Sequence, residues 1–194
     1  MFDLSAFAVF VSVASITPGP NNCMALSFAG ARGIKKGMLF CVGVFFGMFV
    51  VMLACAVGGS LVLHQLPRAG LYLKVAGAAY MLWLAWSVLR SDNGGGGDSE
   101  RFRHVVLSGG LLQLINPKIM VYGLTAFSAF ILPIYTDHLA LLAFAAVLAL
   151  GGFIGTICWA LFGAVLEKTF RAHPKAINAV LAALLLYCAI SMLL

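Results

Sequence analysis

Two short clusters of helix-disrupting and hydrogen-bonding residues stand inside otherwise apolar sequence: Thr17-Pro18-Gly19-Pro20-Asn21-Asn22 and Asn116-Pro117-Lys118. Proline removes an amide donor and disrupts the helical turn before it. Two prolines around Gly19, followed by two asparagines, predict local unwinding that frees carbonyls and amides. In an apolar surrounding such groups persist only where they line a cavity or are covered by protein. A helix restarting near Asn21 presents free amides and the positive end of its dipole, and both favour a carboxylate. Asn21, Asn22 and Asn116 add donors and acceptors. Lys118 adds a cation, while Asp3, Asp92, Asp98, Glu100, Asp137 and Glu167 all fall near an end or in a loop. A bound anion or a substrate carboxylate is its natural counter-charge. The chemistry these residues suit is capture of a zwitterion, with carboxylate toward Lys118 and the helix start, and ammonium toward freed carbonyls and amide oxygens. Tyr122, one turn beyond Lys118 on the same face, is a candidate addition. The expected binding set is Pro18, Gly19, Pro20, Asn21, Asn22, Asn116, Pro117, Lys118 and Tyr122.

The surrounding chain dictates which elements carry these residues. Of 194 residues, 63% are hydrophobic and 9% charged, whereas a soluble domain has about 25% charged residues. Water is therefore not the main solvent, and a lipid bilayer is. Spans of about 20 apolar residues fall near 4–30, 38–63, 69–89, 105–132, 138–165 and 175–194. Barrel strands would be about ten residues long with polar alternation, so these are helices. At about 1.5 Å per residue, Lys118 lies roughly 20 Å into the fourth span, near the midplane. A lysine there costs about 2.5–3.5 kcal/mol on insertion scales, which calls for a partner or a function. The N-terminus lacks the basic region of a signal peptide, so the first span is expected to be a retained helix.

Basic residues orient the spans. Arg32, Lys35, Lys36, Arg90, Arg101, Arg103, Lys168, Arg171 and Lys175 fall in alternate connections, against Arg68 alone in the others. By the positive-inside rule both termini face outward, away from the cytoplasm. The polar segment 91–104, with four consecutive glycines, reads as a cytoplasmic linker. It separates two units of three helices, 1–90 and 105–194. Three is odd, so the second unit enters the membrane from the opposite face, as in inverted-repeat architectures. The predicted fold is all-α, with six transmembrane helices in two inverted three-helix repeats and helices 1 and 4 broken. The second helix of each unit reads GxFxG, as Gly43-Val44-Phe45-Phe46-Gly47 and Gly151-Gly152-Phe153-Ile154-Gly155, a packing pattern. Helices 3 and 6 show no such match. These small-residue faces suit contacts between the two units and contacts between protomers of a homo-oligomer equally well.

Other classes are excluded by what accompanies these features. The +6 net charge is dispersed over short loops and carries no nucleic-acid motif. The five cysteines (Cys23, Cys41, Cys55, Cys158, Cys188) sit in apolar segments without zinc spacing or a CxxC pair and read as small hydrophobes. No metal or cofactor is expected, and no Ser/His, paired-Asp or nucleotide motif suggests an enzyme. Lys74 reads as snorkelling, and His64, His104, His138 and His173 receive no role. Trp83, Trp86, Trp159, Tyr72, Tyr80 and Tyr187 read as packing or interfacial anchors.

Thr17-Pro18-Gly19-Pro20-Asn21 and Asn116-Pro117-Lys118 resemble the signatures of the LysE/RhtB amino-acid exporter family, and the likeness runs over essentially the whole chain. Ala76-Gly77-Ala78-Ala79-Tyr80, Val121 to Ser128, Cys158-Trp159-Ala160-Leu161 and Leu186-Tyr187-Cys188-Ala189 are similar to its cysteine/O-acetylserine branch. The resemblance implies a secondary transporter, not an enzyme, exporting small neutral amino acids or intermediates by alternating access with protons as coupling ion. Many family members carry Asp where this chain has Asn21. That difference removes one candidate proton carrier and favours a neutral zwitterion over a basic amino acid. A homoserine/threonine or basic amino-acid exporter and a passive channel remain as alternatives.

Overall fold

Proline, glycine and aspartate mark most of the helix boundaries in the computed structural model, which describes residues 2–62, 66–90 and 102–193. Helix α1 (Leu4–Ile16) starts at Asp3, whose carboxylate accepts from the Ala6 amide at 3.0 Å and the Ser5 hydroxyl at 2.7 Å. Those two bonds hold the Asp3 carboxyl below the usual carboxylate range. Helix α2 (Pro20–Arg32) opens on a proline and closes on Gly33, whose φ of 85° favours glycine. One residue therefore suffices to turn the chain into α3 (Ile34–Val62), which is followed by α4 (Leu66–Arg90) and α5 (Phe102–Ile115). Asn116 alone separates α5 from α6 (Pro117–Thr125). From α6 the chain runs on through a π-helical turn, Ala126–Ile131, where the Leu132 amide reaches back to the Phe127 carbonyl at 2.8 Å. Asp137 caps α7 (His138–Val165) with both carboxylate oxygens. The short α8 (Glu167–Ala172) and α9 (Pro174–Leu193) complete the chain.

Six spans were expected, and among the described residues α4 qualifies only as a shorter apolar helix, Val75–Arg90. The two breaks and most helix bounds fall near the expected ones, with three local differences. The second span starts earlier, at Ile34, because Gly33 makes so tight a turn. Residues 167–172 form a helix where a plain connection was expected, since Phe170 inserts its ring against Gly30. The π turn is the third, and nothing in its apolar sequence announces it. Of the linker at 91–104, residues 91–101 lie outside the described residues, as does His64. Helices α3, α7 and α9 are each long and apolar enough to cross a membrane. The pairs α1/α2 and α5/α6 pass the same test jointly, bent by 49° and 61°, which gives up to five candidate spans. Large apolar side chains such as Leu4, Val57, Leu139 and Val165 cover the outside, as a surface facing lipid tails requires.

The halves interlock reciprocally. Helix α3 packs against both parts of the α5/α6 pair, and α7 packs against both parts of the α1/α2 pair. The GxFxG glycines make these contacts. A Cβ at Gly43 would stand 2.0 Å from the Val106 carbonyl oxygen, and one at Gly47 2.3 Å from that of Gly110. On α7, a Cβ at Gly155 would meet the Ser15 carbonyl oxygen at 2.5 Å. The small-residue faces thus serve contacts within one chain. Helices α4 and α9 pack on each other, with a small apolar cluster of Ala78, Met81, Cys188 and Ala189 at one end and a second that joins them to α2 and α8 through Leu26, Leu84, Phe170 and Leu185.

Candidate functional site

The two breaks abut. Pro20 and Pro117 occupy the first helical positions of α2 and α6, where a missing amide proton costs nothing. They set the helix starts and do not line the cavity between them. That cavity, about 20 Å³, is bordered by Gly19, Asn21, Asn22, Asn116, Lys118 and Tyr122 among others. Pro18 lies just outside it, its carbonyl turned toward Lys118.

At the centre is a buried amide cluster. Asn21 Nδ2 donates to Gln113 Oε1 at 2.7 Å, and Gln113 Nε2 returns a bond to Asn21 Oδ1 at 3.0 Å. The same Asn21 oxygen accepts from Asn116 Nδ2 at 3.0 Å, while Gln113 Nε2 also donates to the Gly109 carbonyl. Asn116 caps its own helix, its Oδ1 accepting from the Lys118 amide at 3.1 Å. These buried groups satisfy one another across the two halves, the condition for keeping polar groups in a low-dielectric interior.

The carbonyls released at the first break are also taken up from within the chain. Asn22 Nδ2 donates to Ser15 and Thr17, the Trp159 indole to Ile16 at 2.9 Å, and Cys188 Sγ to Pro18 at 3.1 Å. Lys118 Nζ donates to the Thr17 carbonyl at 2.5 Å and approaches that of Pro18 at 3.4 Å. A cation is favoured at that position, the negative end of the α1 dipole. The expected counter-charge of Lys118 is therefore supplied in part by α1, and a ligand ammonium would not find these carbonyls vacant. The carboxylate side of the expectation keeps its partners: Gly19 gives α2 no side-chain cap, and among the described residues no carboxylate pairs with Lys118.

Tyr122 borders the same cavity, stacked on Phe10 with its hydroxyl 3.3 Å from the Leu148 carbonyl. Five participants escaped the sequence reading. Gln113 lies one turn before Asn116 and Pro117, and a lone amide at that spacing inside an apolar run was a usable signal. Thr156, which borders the cavity, bonds Gly152 at 2.8 Å and Asn22 Oδ1 at 3.4 Å. Ser15 also borders it, its buried Oγ beside the Tyr122 hydroxyl. Trp159 and Cys188 read as anchor and packing residues, yet both donate to the break. Trp83 and Trp86 are exposed on α4 as anchors should be, with the Arg90 guanidinium 4.3 Å from the Trp86 ring. All five cysteines are free.

Two bent helix pairs broken around buried amides and one lysine give the chain the build of a multi-span membrane protein. The chain belongs to the LysE type translocator family, which it matches over residues 12–194. It is 37% identical over 187 residues to the cysteine/O-acetylserine efflux protein of Klebsiella pneumoniae subsp. pneumoniae, covering 96% of this chain and 95% of that one. Proteins of the same description from Salmonella choleraesuis and Escherichia coli O139:H28 are each 39% identical at the same coverage. No solved structure matches the chain.

Proposed function

We propose that this protein exports small neutral amino acids of the cysteine and O-acetylserine type from the bacterial cytoplasm, across the inner membrane, by alternating access coupled to the proton gradient. The observation that carries the reading is the meeting of the two broken spans at Lys118. There an ammonium, the uncapped start of α2, Asn21 and Asn116 lie around one cavity, with Gln113 bonded to Asn21 behind them. A substrate carboxylate takes the α2 amides and Lys118, and Ser15 Oγ offers an acceptor to the substrate ammonium. The site is neutral apart from the lysine, which suits a zwitterion better than a basic amino acid. With about 20 Å³ of space, enough for roughly one water, the cavity must enlarge to take a substrate there.

Six spans in two inverted repeats, 1–90 and 105–194, are the arrangement we favour. The reciprocal packing of α3 on α5/α6 and of α7 on α1/α2 supports it, as does the pairing of α4 with α9. Helix α4, 25 residues long, is then the third span. The distribution of basic residues favours the periplasmic side for both termini. The deciding experiment is efflux of labelled O-acetylserine and cysteine from preloaded vesicles, with and without a protonophore. Protonophore-sensitive efflux is expected, and flux that follows the substrate gradient alone would replace the exporter with a channel.

A further inference from the structure

Lys118 has a second face. Away from the amide cluster, a separate cavity of about 310 Å³ opens where the α4–α9 pair meets the first break and the start of α6. Its wall includes Thr17, Pro18, Lys118, Tyr187, Cys188 and Ser191. Lys118 borders this cavity and the small one alike, so the lysine stands between two compartments. Size separates them. A water-sized group takes about 10–15 Å³ of such space, so the amide-lined cavity holds one or two of them and this one has room for a small amino acid.

The lining fits the same ligand. An ammonium carries three donors, and Lys118 Nζ meets two carbonyls, Thr17 and Pro18. One proton is left for a carboxylate. Tyr187, Cys188 and Ser191 follow helical spacing and share a face of α9. Across from them Met81 of α4 supplies a buried thioether, an adaptable apolar surface for a short thiol or ester side chain. The cavity lies at the end of the α4–α9 pair that has its own small cluster at Met81 and Cys188, while nearer the start of α9 the pair packs on α2 and α8 through Leu26, Leu84, Phe170 and Leu185. Widening at the Met81 end leaves the glycine contacts between α3 and α5 in place.

We propose that this cavity is the compartment in which the substrate zwitterion rests beside Lys118, its carboxylate on the free ammonium proton and its side chain against Met81 and Tyr187. The proposal rests on the reading of the chain as an exporter of small neutral amino acids. The cavity borders the C-terminal third of α9, which under the proposed topology is the outward half, so this is the exit side.

The test uses the full chain in lipid nanodiscs, with both faces open to solution and Cys158→Ala and Cys188→Ser as background, since Cys188 shares the cavity wall. Ser191→Cys is modified with a small charged methanethiosulfonate, and Leu193→Cys, two residues on and exposed, serves as control. O-acetylserine at about ten times its Kd is expected to slow modification at Ser191→Cys about tenfold and to leave Leu193→Cys unchanged. In vesicles, Ser191→Trp should fill the cavity and reduce efflux about tenfold, the equivalent of about 1.4 kcal/mol, while Leu193→Trp matches the parent. Unprotected Ser191→Cys, or full efflux by Ser191→Trp, overturns the compartment while labelled O-acetylserine still leaves vesicles carrying the parent protein. Absence of that parental efflux overturns the exporter reading itself, and the compartment with it.

Discussion

The two breaks are held in different ways. The second consists of Asn116 alone, and its side chain caps α6 directly through the Lys118 amide. The first spans Thr17 to Gly19, and Gly19 has no side chain with which to cap α2. Its carbonyls are met instead by Asn22, Lys118, Trp159 and Cys188, which belong to α2, α6, α7 and α9. The second break is thus a local property of three residues, while the first exists only as long as four helices stand in register around it. Of the two, the first is the one that motion elsewhere in the molecule can remake, and Lys118 ties it to the second.

Lys118→Ala should produce the largest effect, because it removes the tie and the only cation at the site. Efflux is expected to fall roughly 100-fold, the worth of about 3 kcal/mol for a charged hydrogen bond, while the amount of inserted protein is retained. Full activity in vesicles would break the comparison. Next, Asn21→Ala strands the Gln113 oxygen and the Asn116 amide, at about 2 kcal/mol for buried groups left unpaired. Asn116→Ala removes a local cap worth about 1 kcal/mol. Thermal unfolding in detergent should therefore rank Asn21→Ala below Asn116→Ala, and the reverse order would mean that the second break is the tertiary one. Gly155→Ala and Gly47→Ala sharpen the contrast further. Each drives a methyl into a carbonyl, of Ser15 and Gly110 respectively, and each is expected to cost about 1–2 kcal/mol. Only Gly155→Ala, which presses on the first break, should slow efflux beyond its loss of stability. The smallest change is Trp159→Phe, which removes one cap from Ile16. It should cost about 0.6 kcal/mol, the average for a side-chain hydrogen bond inside a membrane, and is best read by hydrogen exchange at residues 16–23.

Both breaks were legible because proline, glycine and asparagine punctuate apolar sequence for local reasons that one chain displays. Lys118 was legible because its depth follows from counting residues, and the GxFxG glycines because close helix approach demands them. What stayed hidden depends on partners distant in sequence. That Trp159 and Cys188 donate to Ile16 and Pro18 follows from how α7 and α9 pack, and no local pattern encodes it. Helix α8 forms because Phe170 finds the gap over Gly30, and its six residues are too few to stand alone. The ammonium contacts of Lys118 were misjudged for a related reason. A search for acidic residues passes over the carbonyls at a helix end, which carry the same sign of charge.

The bond from the Trp159 indole to the Ile16 carbonyl gives the molecule an optical signal of its own. The chain has three tryptophans, and Trp83 and Trp86 lie exposed on α4, away from the breaks. In a protein carrying Trp83→Phe and Trp86→Phe, emission comes from Trp159 alone. An indole that loses its acceptor in an apolar surrounding emits at shorter wavelength. Remaking of the first break during the transport cycle would then appear as a colour change in an unlabelled protein.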